Sequence, residues 1–274
     1  NYWVQMFIGS CTPTSISIEE ENPHTYLLEQ GEDIDDLGLV LKVGCKHGTS
    51  YMPVISEMCS AYDESKLNEE QTVTVTYGGK TTTFPIYVCE PMPFTDVNDT
   101  DWYFDYVANV YYNNIMTGLK PTVFGPADPL VRAQFAVILY RMSGEPAVTY
   151  TPKFPDVANE QWYTNAILWA SDVGVVTGYS NTGLFGPADN ITREQMAVMM
   201  YRYAQGLGYD VSEKADFSKF ADASSVSSFA REAMQWAVGT GIITGKDNET
   251  RIDPQGNANR AECATIITRF LRKY

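Results

Sequence analysis

The second half of the chain repeats itself. A segment running from Phe94-Thr-Asp96-Val through Thr117-Gly118 and Phe124-Gly-Pro-Ala-Asp128 to Arg132 returns as Phe154-Pro-Asp156-Val, Thr177-Gly178, Phe185-Gly-Pro-Ala-Asp189 and Arg193. A third, more divergent copy runs Phe220-Ala-Asp222, Thr244-Gly245, Ile252-Asp-Pro and Arg260. The opening Asp recurs at 96, 156 and 222 and the Arg at 132, 193 and 260, so the copies stay in register with small insertions. A chain built this way must use one local structure three times, and each copy must bury its apolar face against the others.

That local structure reads as helix, glycine-marked loop, helix. In the second copy Trp162, Ala166, Ile167, Trp169, Ala170 and Val173 recur at three- and four-residue spacing, which predicts one apolar helical face ended by Gly178. A second helix is predicted from Thr192-Arg-Glu-Gln195, a capping box, through Met196, Met199, Met200 and Tyr203. Asn259-Arg-Ala-Glu262 repeats that cap, whereas the first copy offers Val131, which has no side-chain acceptor. Three such pairs pack most simply about a pseudo-threefold axis.

These motifs closely resemble the S-layer homology (SLH) domains over residues 93–274. The resemblance rests on the Phe-x-Asp-Val opening, the Trp six residues after the Asp, the Thr-Gly loop, the Phe-Gly-Pro-Ala-Asp turn and the Ile-Thr-Arg-Glu helix start. It implies a three-pronged all-α module at the bacterial cell surface, bound without a covalent bond to a secondary cell-wall polysaccharide, often through a pyruvate-ketal sugar. The ligand residues it implies are Asp96, Trp102, Gly118, Arg132, Asp156, Trp162, Gly178, Arg193, Asp222, Gly245 and Arg260.

Each of these has a chemical case and a plainer one. Arg132, Arg193 and Arg260 start helices, where the dipole disfavours a cation and free N–H groups are expected to point outward, so an anionic carboxylate or phosphate would suit the site. The plainer reading is an ion pair within the protein, to Asp96, Asp156 or Asp222, or to the turn residues Asp128 and Asp189. Trp102 and Trp162 offer flat faces to a sugar, with Phe229 in the third copy, yet large aromatics at helical spacing also serve as core. Gly118, Gly178 and Gly245 either end helices or open backbone N–H groups to a ligand. The third copy has Asp253-Pro-Gln-Gly256 in place of Gly-Pro-Ala-Asp. The expectation is therefore a groove walled by copies one and two, with Arg132 and Arg193 mattering more than Arg260.

Residues 12–90 read as β-structure. Ser15–Ile18, Leu39–Val43, Thr72–Tyr77 and Thr81–Val88 alternate or are rich in β-branched residues, and Gly78-Gly79 closes a hairpin. The runs 26–40 and 72–84 resemble bacterial immunoglobulin-like (Big_3-type) domains, which implies a spacer or an adhesin. Cys45, His47, Met52 and Cys59 occupy a middle stretch that the pattern does not place.

The net charge of −15 excludes nucleic acid and anionic lipid as general partners, and it steps from −10 over residues 1–92 to −5 over 93–274. The longest apolar run, Phe135–Tyr140, is far too short to span a bilayer. The two histidines, His24 and His47, lack a surrounding Ser, Cys or Asp motif, so no catalytic triad is expected. The five cysteines form no CxxC or His/Cys cluster, and Asp96–Asp101 lacks the Gly and Glu of an EF-hand, so no cofactor or metal is expected. The overall expectation is a multidomain monomer. It comprises a strand or tail at 1–11, an all-β immunoglobulin-like sandwich at 12–90, and helix-loop-helix repeats at 92–150, 151–212 and 217–274 that form an all-α pseudo-threefold trimer around a central helical bundle. It would be a non-enzymatic cell-wall anchor, extracellular and part of a longer exported protein. The alternatives are an adhesin or glycan-binding surface protein acting through the β domain, or the C-terminal anchor of an exported glycoside hydrolase.

Overall fold

The structure is a computed structural model and describes residues 12–19, 26–67, 69–247 and 250–274. The chain divides into two compact units at Met92 and Pro93.

The first unit has two three-stranded sheets. In one, β3 (Val40–Cys45) pairs antiparallel with both β1 (Ser15–Ile18) and β4 (Gly48–Pro53). In the other, β6 (Lys80–Cys89) lies between β5 (Glu70–Tyr77), antiparallel, and β2 (Tyr26–Glu29), parallel. Alternation in β5 and β6 sends Val73, Val75, Phe84, Ile86 and Val88 inward, where they meet Leu41 and Val43 of the other sheet in one core. Gly78 and Gly79 turn the β5–β6 hairpin at φ of 55° and 74°, a left-handed pair that residues with a Cβ adopt at a cost. Periodicity did not locate β2 or β4. Of the unplaced middle stretch, Cys45, His47 and Met52 belong to the β3–β4 hairpin and Cys59 follows the short 3-10 turn Ser56–Met58; β4 buries no residue fully and sets Ser50 and Met52 on one face against exposed Thr49, Tyr51 and Pro53 on the other, so its sequence has no apolar–polar alternation. Cys45 is disulfide-bonded, whereas Cys59, Cys89 and Cys263 are free; Cys11 and His24 lie outside the described residues.

The second unit is helical. Each repeat contributes a short first helix, α1 (Phe104–Tyr112), α3 (Thr164–Asp172) or α5 (Arg231–Gly239), and a second, α2 (Arg132–Met142), α4 (Arg193–Gly206) or α6 (Arg260–Lys273). The first helices are shorter than expected. Trp162 lies in the turn before α3, and α3 ends at Asp172 rather than at Gly178, followed by the left-handed Gly174. Among the described residues, no helix is long and apolar enough to cross a membrane.

The second helix of each repeat packs on the first helix of the next, α2 on α3 and α4 on α5, and α6 returns to α1, so the packing closes into a cycle. Tyr140 against Trp169 and Tyr201 against Trp236 fill two of these contacts. The third uses the Thr268 hydroxyl, which reaches the Tyr106 carbonyl and the Asn109 side chain. At the centre, Leu130 N–H donates to Ala258 O, Ala258 N–H to Ile191 O and Ile191 N–H to Leu130 O, at 2.9, 3.1 and 2.9 Å. One residue from each copy thus completes a ring of backbone bonds, and the side chains of all three are fully buried.

Candidate functional site

The repeated Asp and the repeated Arg act on the same peptide groups from opposite sides. Both carboxylate oxygens of Asp96 accept backbone N–H bonds, from Phe124 and Gly125, each at 2.8 Å. Asp156 does the same for Phe185 and Gly186, and Asp222 for Ile252 and Asp253. The carbonyls of Phe124, Phe185 and Ile252 are taken by arginines from the preceding copy in the cycle. Arg260 Nε donates to Phe124 O at 2.7 Å, Arg132 to Phe185 O at 2.9 Å and Arg193 to Ile252 O at 3.0 Å. The ion pairs considered between these arginines and the opening aspartates are replaced by this shared clamp on one residue.

The same turns cap the second helices. Arg132 N–H and Ala133 N–H donate to the Asp189 and Pro187 carbonyls, Arg193 and Glu194 to Gly256 and Pro254, and Arg260 and Ala261 to Asp128 and Pro126. The first donors of each helix, expected to be free for an anion, are therefore spent on a neighbouring copy. Asp253-Pro-Gln-Gly256 caps α4 as the Gly-Pro-Ala-Asp turns cap α2 and α6. At Val131, Gln134 keeps half of the capping box by accepting the Val131 N–H at 3.0 Å.

Arg132, Arg193 and Arg260 are 4–7% exposed, and burial pulls their pKa values below the usual arginine value. Their outer edges line three grooves, and each groove draws on all three copies. The first holds Thr117, Gly118, Gln134 and Arg141 of copy one, Trp162 of copy two and Arg260 of copy three, around about 330 Å³. The second holds Thr177, Gly178, Tyr179, Gln195 and Arg202 of copy two, Phe229 of copy three and Arg132 of copy one, around about 310 Å³. The third holds Thr244, Gly245, Lys246, Glu262 and Arg269 of copy three, Trp102 of copy one and Arg193 of copy two, around about 180 Å³. The expected groove between copies one and two alone does not form, because the cycle seats each Arg beside the loop of one copy and the aromatic of another.

Trp102 and Trp162 are 63% exposed and Phe229 is 62% exposed, so these rings are not core. Asp96, Asp156 and Asp222 stand behind the grooves, holding their turns. Gly118 and Gly178 pack tightly: a Cβ on either would lie 2.7 Å from the Phe94 or Phe154 ring and 2.5–2.8 Å from loop carbonyls. Asp101, in the stretch weighed as a calcium loop, accepts the Asn98 N–H at 2.8 Å, and this bond holds its carboxyl below the usual range. Among the described residues no cluster suited to a metal ion occurs.

Sequence reasoning missed the second arginines, Arg141, Arg202 and Arg269, although each follows the first by nine residues. Nine residues are two and a half helical turns, so Arg132 and Arg141 leave opposite sides of α2 and serve different grooves. It also missed Glu194, which is 2% exposed and accepts from Ser227 N–H, Ser227 Oγ and Gln255 Nε2. That network fixes the chain two residues before Phe229.

Residues 93–136, 153–197 and 219–264 each match the S-layer homology domain. The chain carries three SLH domains. Over about 180 residues, 66% of the chain, it is 37% identical to an endoglucanase of Bacillus sp. (strain KSM-635) and 33% identical to an amylopullulanase of Thermoanaerobacterium thermosulfurigenes. The match covers 19% and 10% of those proteins, so the chain corresponds to a small part of each. It is also 26% identical over 58% of its length to a cellulosome-anchoring protein of Acetivibrio thermocellus, of which it covers 35%. The SLH domains place the chain outside the cell, at the surface or wall.

Proposed function

We propose that the SLH unit anchors an exported protein by holding an acidic cell-wall polysaccharide, pyruvylated on a sugar, in grooves between its repeats. The observation that carries this reading is the composition of the first groove: an exposed indole, a Thr-Gly loop and two arginines, brought together from three repeats. An aromatic face suits the apolar face of a pyranose, and a guanidinium fork suits a ketal carboxylate in bidentate geometry. The buried clamp on Phe124 pre-positions Arg260, so little ordering remains to oppose binding.

In this reading the SLH unit is a three-pronged, pseudo-threefold module. The β unit is an immunoglobulin-type sandwich that acts as a spacer, the chain itself performs no catalysis, and the module works as a monomer. The much longer relatives, hydrolases among them, support a role as the tether of a larger protein. Sedimentation with purified cell-wall sacculi tests it. The protein is expected to pellet with intact walls and stay in solution with walls stripped of secondary polymer; equal pelleting with both overturns the reading.

A further inference from the structure

Each groove carries one exposed aromatic, and the loop before that aromatic is anchored differently in each repeat. In the first, Asp101 accepts the Asn98 N–H at 2.8 Å. In the second, the Thr164 hydroxyl accepts the Gln161 N–H at 3.0 Å and donates to Ala158 O at 2.7 Å. Both anchors belong to the loop's own repeat. The third loop is one residue longer, since Phe229 follows Asp222 by seven positions where Trp102 and Trp162 follow Asp96 and Asp156 by six. Its anchor comes from the second repeat. One Glu194 oxygen accepts the Ser227 N–H at 3.0 Å and the other accepts the Ser227 hydroxyl at 2.7 Å, across 33 positions. The oxygen that takes the hydroxyl also takes Gln255 Nε2 at 2.8 Å, and Gln255 Nε2 donates to Ser225 O at 3.2 Å.

We infer that Glu194 is a positioning residue of the second groove, holding the Phe229 ring where a sugar stacks on it. This rests on the groove reading above. Glu194 is not itself among the residues lining the grooves. It is the second residue of α4, where the other second helices have Ala133 and Ala261, and Gln255 stands where the other turns have Ala127 and Ala188. Three departures from the repeat, a longer loop, a carboxylate and a carboxamide, thus meet at one point. Glu194 is 2% exposed and its partners are an amide, a hydroxyl and a carboxamide, so its charge is held by neutral donors and is costly to bury for packing alone. The anchor is also directed. Phe229 lies in the single 3-10 turn Ser228–Ala230, which begins directly after Ser227 and ends in the fully buried Ala230. The exposed ring is therefore fixed on both flanks, and a ring so held loses little freedom when a ligand meets it. Consecutive residues of α4 serve one groove: Gln195 lines it and Glu194 holds its aromatic.

Glu194→Ala gives α4 the residue that α2 and α6 use. Its fold is expected to hold, because the donors it releases belong to half-buried Ser227 and exposed Gln255, which water reaches. The probe is the methyl glycoside of N-acetylmannosamine carrying a 4,6-pyruvate ketal, titrated while the backbone amide resonances of Gly178 in the second groove and Gly118 in the first are followed. In the unmodified chain both amides are expected to shift. In E194A the midpoint read at Gly178 is expected to rise about three- to tenfold, since the ligand must now order the loop, while that at Gly118 stays within about twofold. Phe229→Ala tests the route. It is expected to raise the Gly178 midpoint about tenfold, and E194A added to F229A to raise it no further, because a residue acting through the ring has nothing left to position. An unchanged Gly178 midpoint in E194A overturns the inference. So does an equal rise at both glycines, which a general loosening of the fold would give, and so do losses that add in the double variant. A Gly178 amide that stays silent in the unmodified chain while Gly118 responds also overturns it. Silence at both glycines overturns the groove reading and the inference with it.

Discussion

Arg260 and Thr117 stand 143 positions apart and are joined by a hydrogen bond of 2.5 Å from the guanidinium Nη2 to the carbonyl oxygen. The last repeat thereby holds the Thr-Gly loop of the first. Arg193 does the same for the third repeat, donating Nη2 to Thr244 O at 2.8 Å. Arg132 instead lays its guanidinium 4.6 Å from the ring centre of Tyr179, a residue of the loop it faces. The groove arginines are therefore structural members of the cycle as well as groove walls.

It follows that Arg260→Ala lowers stability and wall binding together. It strips buried carbonyls of a charged donor, which costs on the order of 3 kcal/mol. Thermal melting and sacculus sedimentation of the same preparation check this; an unchanged melting temperature would show that the buried bonds carry no net energy.

Trp162→Ala separates the two effects. The indole is mostly exposed, so truncation changes stability by roughly 0.5 kcal/mol or less. Binding of the pyruvylated sugar to the first groove is expected to weaken about tenfold, an energy of about 1.4 kcal/mol. Calorimetric titration beside a melting curve reads both, and retained affinity would remove Trp162 from the ligand site.

The three copies, the capping boxes at Thr192 and Asn259 and four of the strands were legible because their signals are local: a recurring motif, an S/T-x-x-E/Q spacing, a period of two. What lies between copies was not. The partner of the Arg193 side chain is a carbonyl 59 residues away, and the donors of α2 end on Asp189 and Pro187, contacts that leave no trace in local spacing. Strand β2 was hidden for a related reason, since its four residues pair in parallel with β6 across most of the unit's sequence. Arg141 was visible in the repeat but stood beyond the motif that drew attention to Arg132.

Gly178→Ala is expected to destabilise the SLH unit by about 1–3 kcal/mol. The residue has φ of 72°, and a Cβ would collide with the Phe154 ring and the Leu184 carbonyl. A melting temperature lowered by several degrees checks it. A neutral effect would mean that Phe154 yields freely.

In the β unit, Ser56 donates side-chain and backbone bonds to Asp35, each at 2.6 Å, and the side-chain bond is the main cause that lowers the Asp35 pKa. Because the folded value lies below the unfolded one, the resulting stability is fully present above the unfolded value of about 4 and is lost as pH falls through the folded value. Ser56→Ala should thus be less stable than the parent at pH 7, with the gap closing in acid. Urea melts of residues 1–92 followed across pH check the sign; a gap that widens below pH 4 contradicts it.

Burial pushes the Cys263 thiol up to about 12 and the Cys89 thiol up to about 11. Both stay protonated at pH 8, so iodoacetamide is expected to spare them in the folded chain and to label them in urea, as mass spectrometry of the two reactions would show.

The ring of Leu130, Ile191 and Ala258 also governs the order in which the molecule can be made. Helix α1 has its packing partner in α6, the final helix of the described chain, so the first repeat has no complete neighbour until residues 260–273 have been synthesised. The cycle is a contact between the two ends of a 182-residue unit, and closing so long a loop comes late and only after the chain entropy has been overcome. A chain halted before α6 therefore leaves the face of α1 without its partner, and the cycle closes in one last step rather than repeat by repeat.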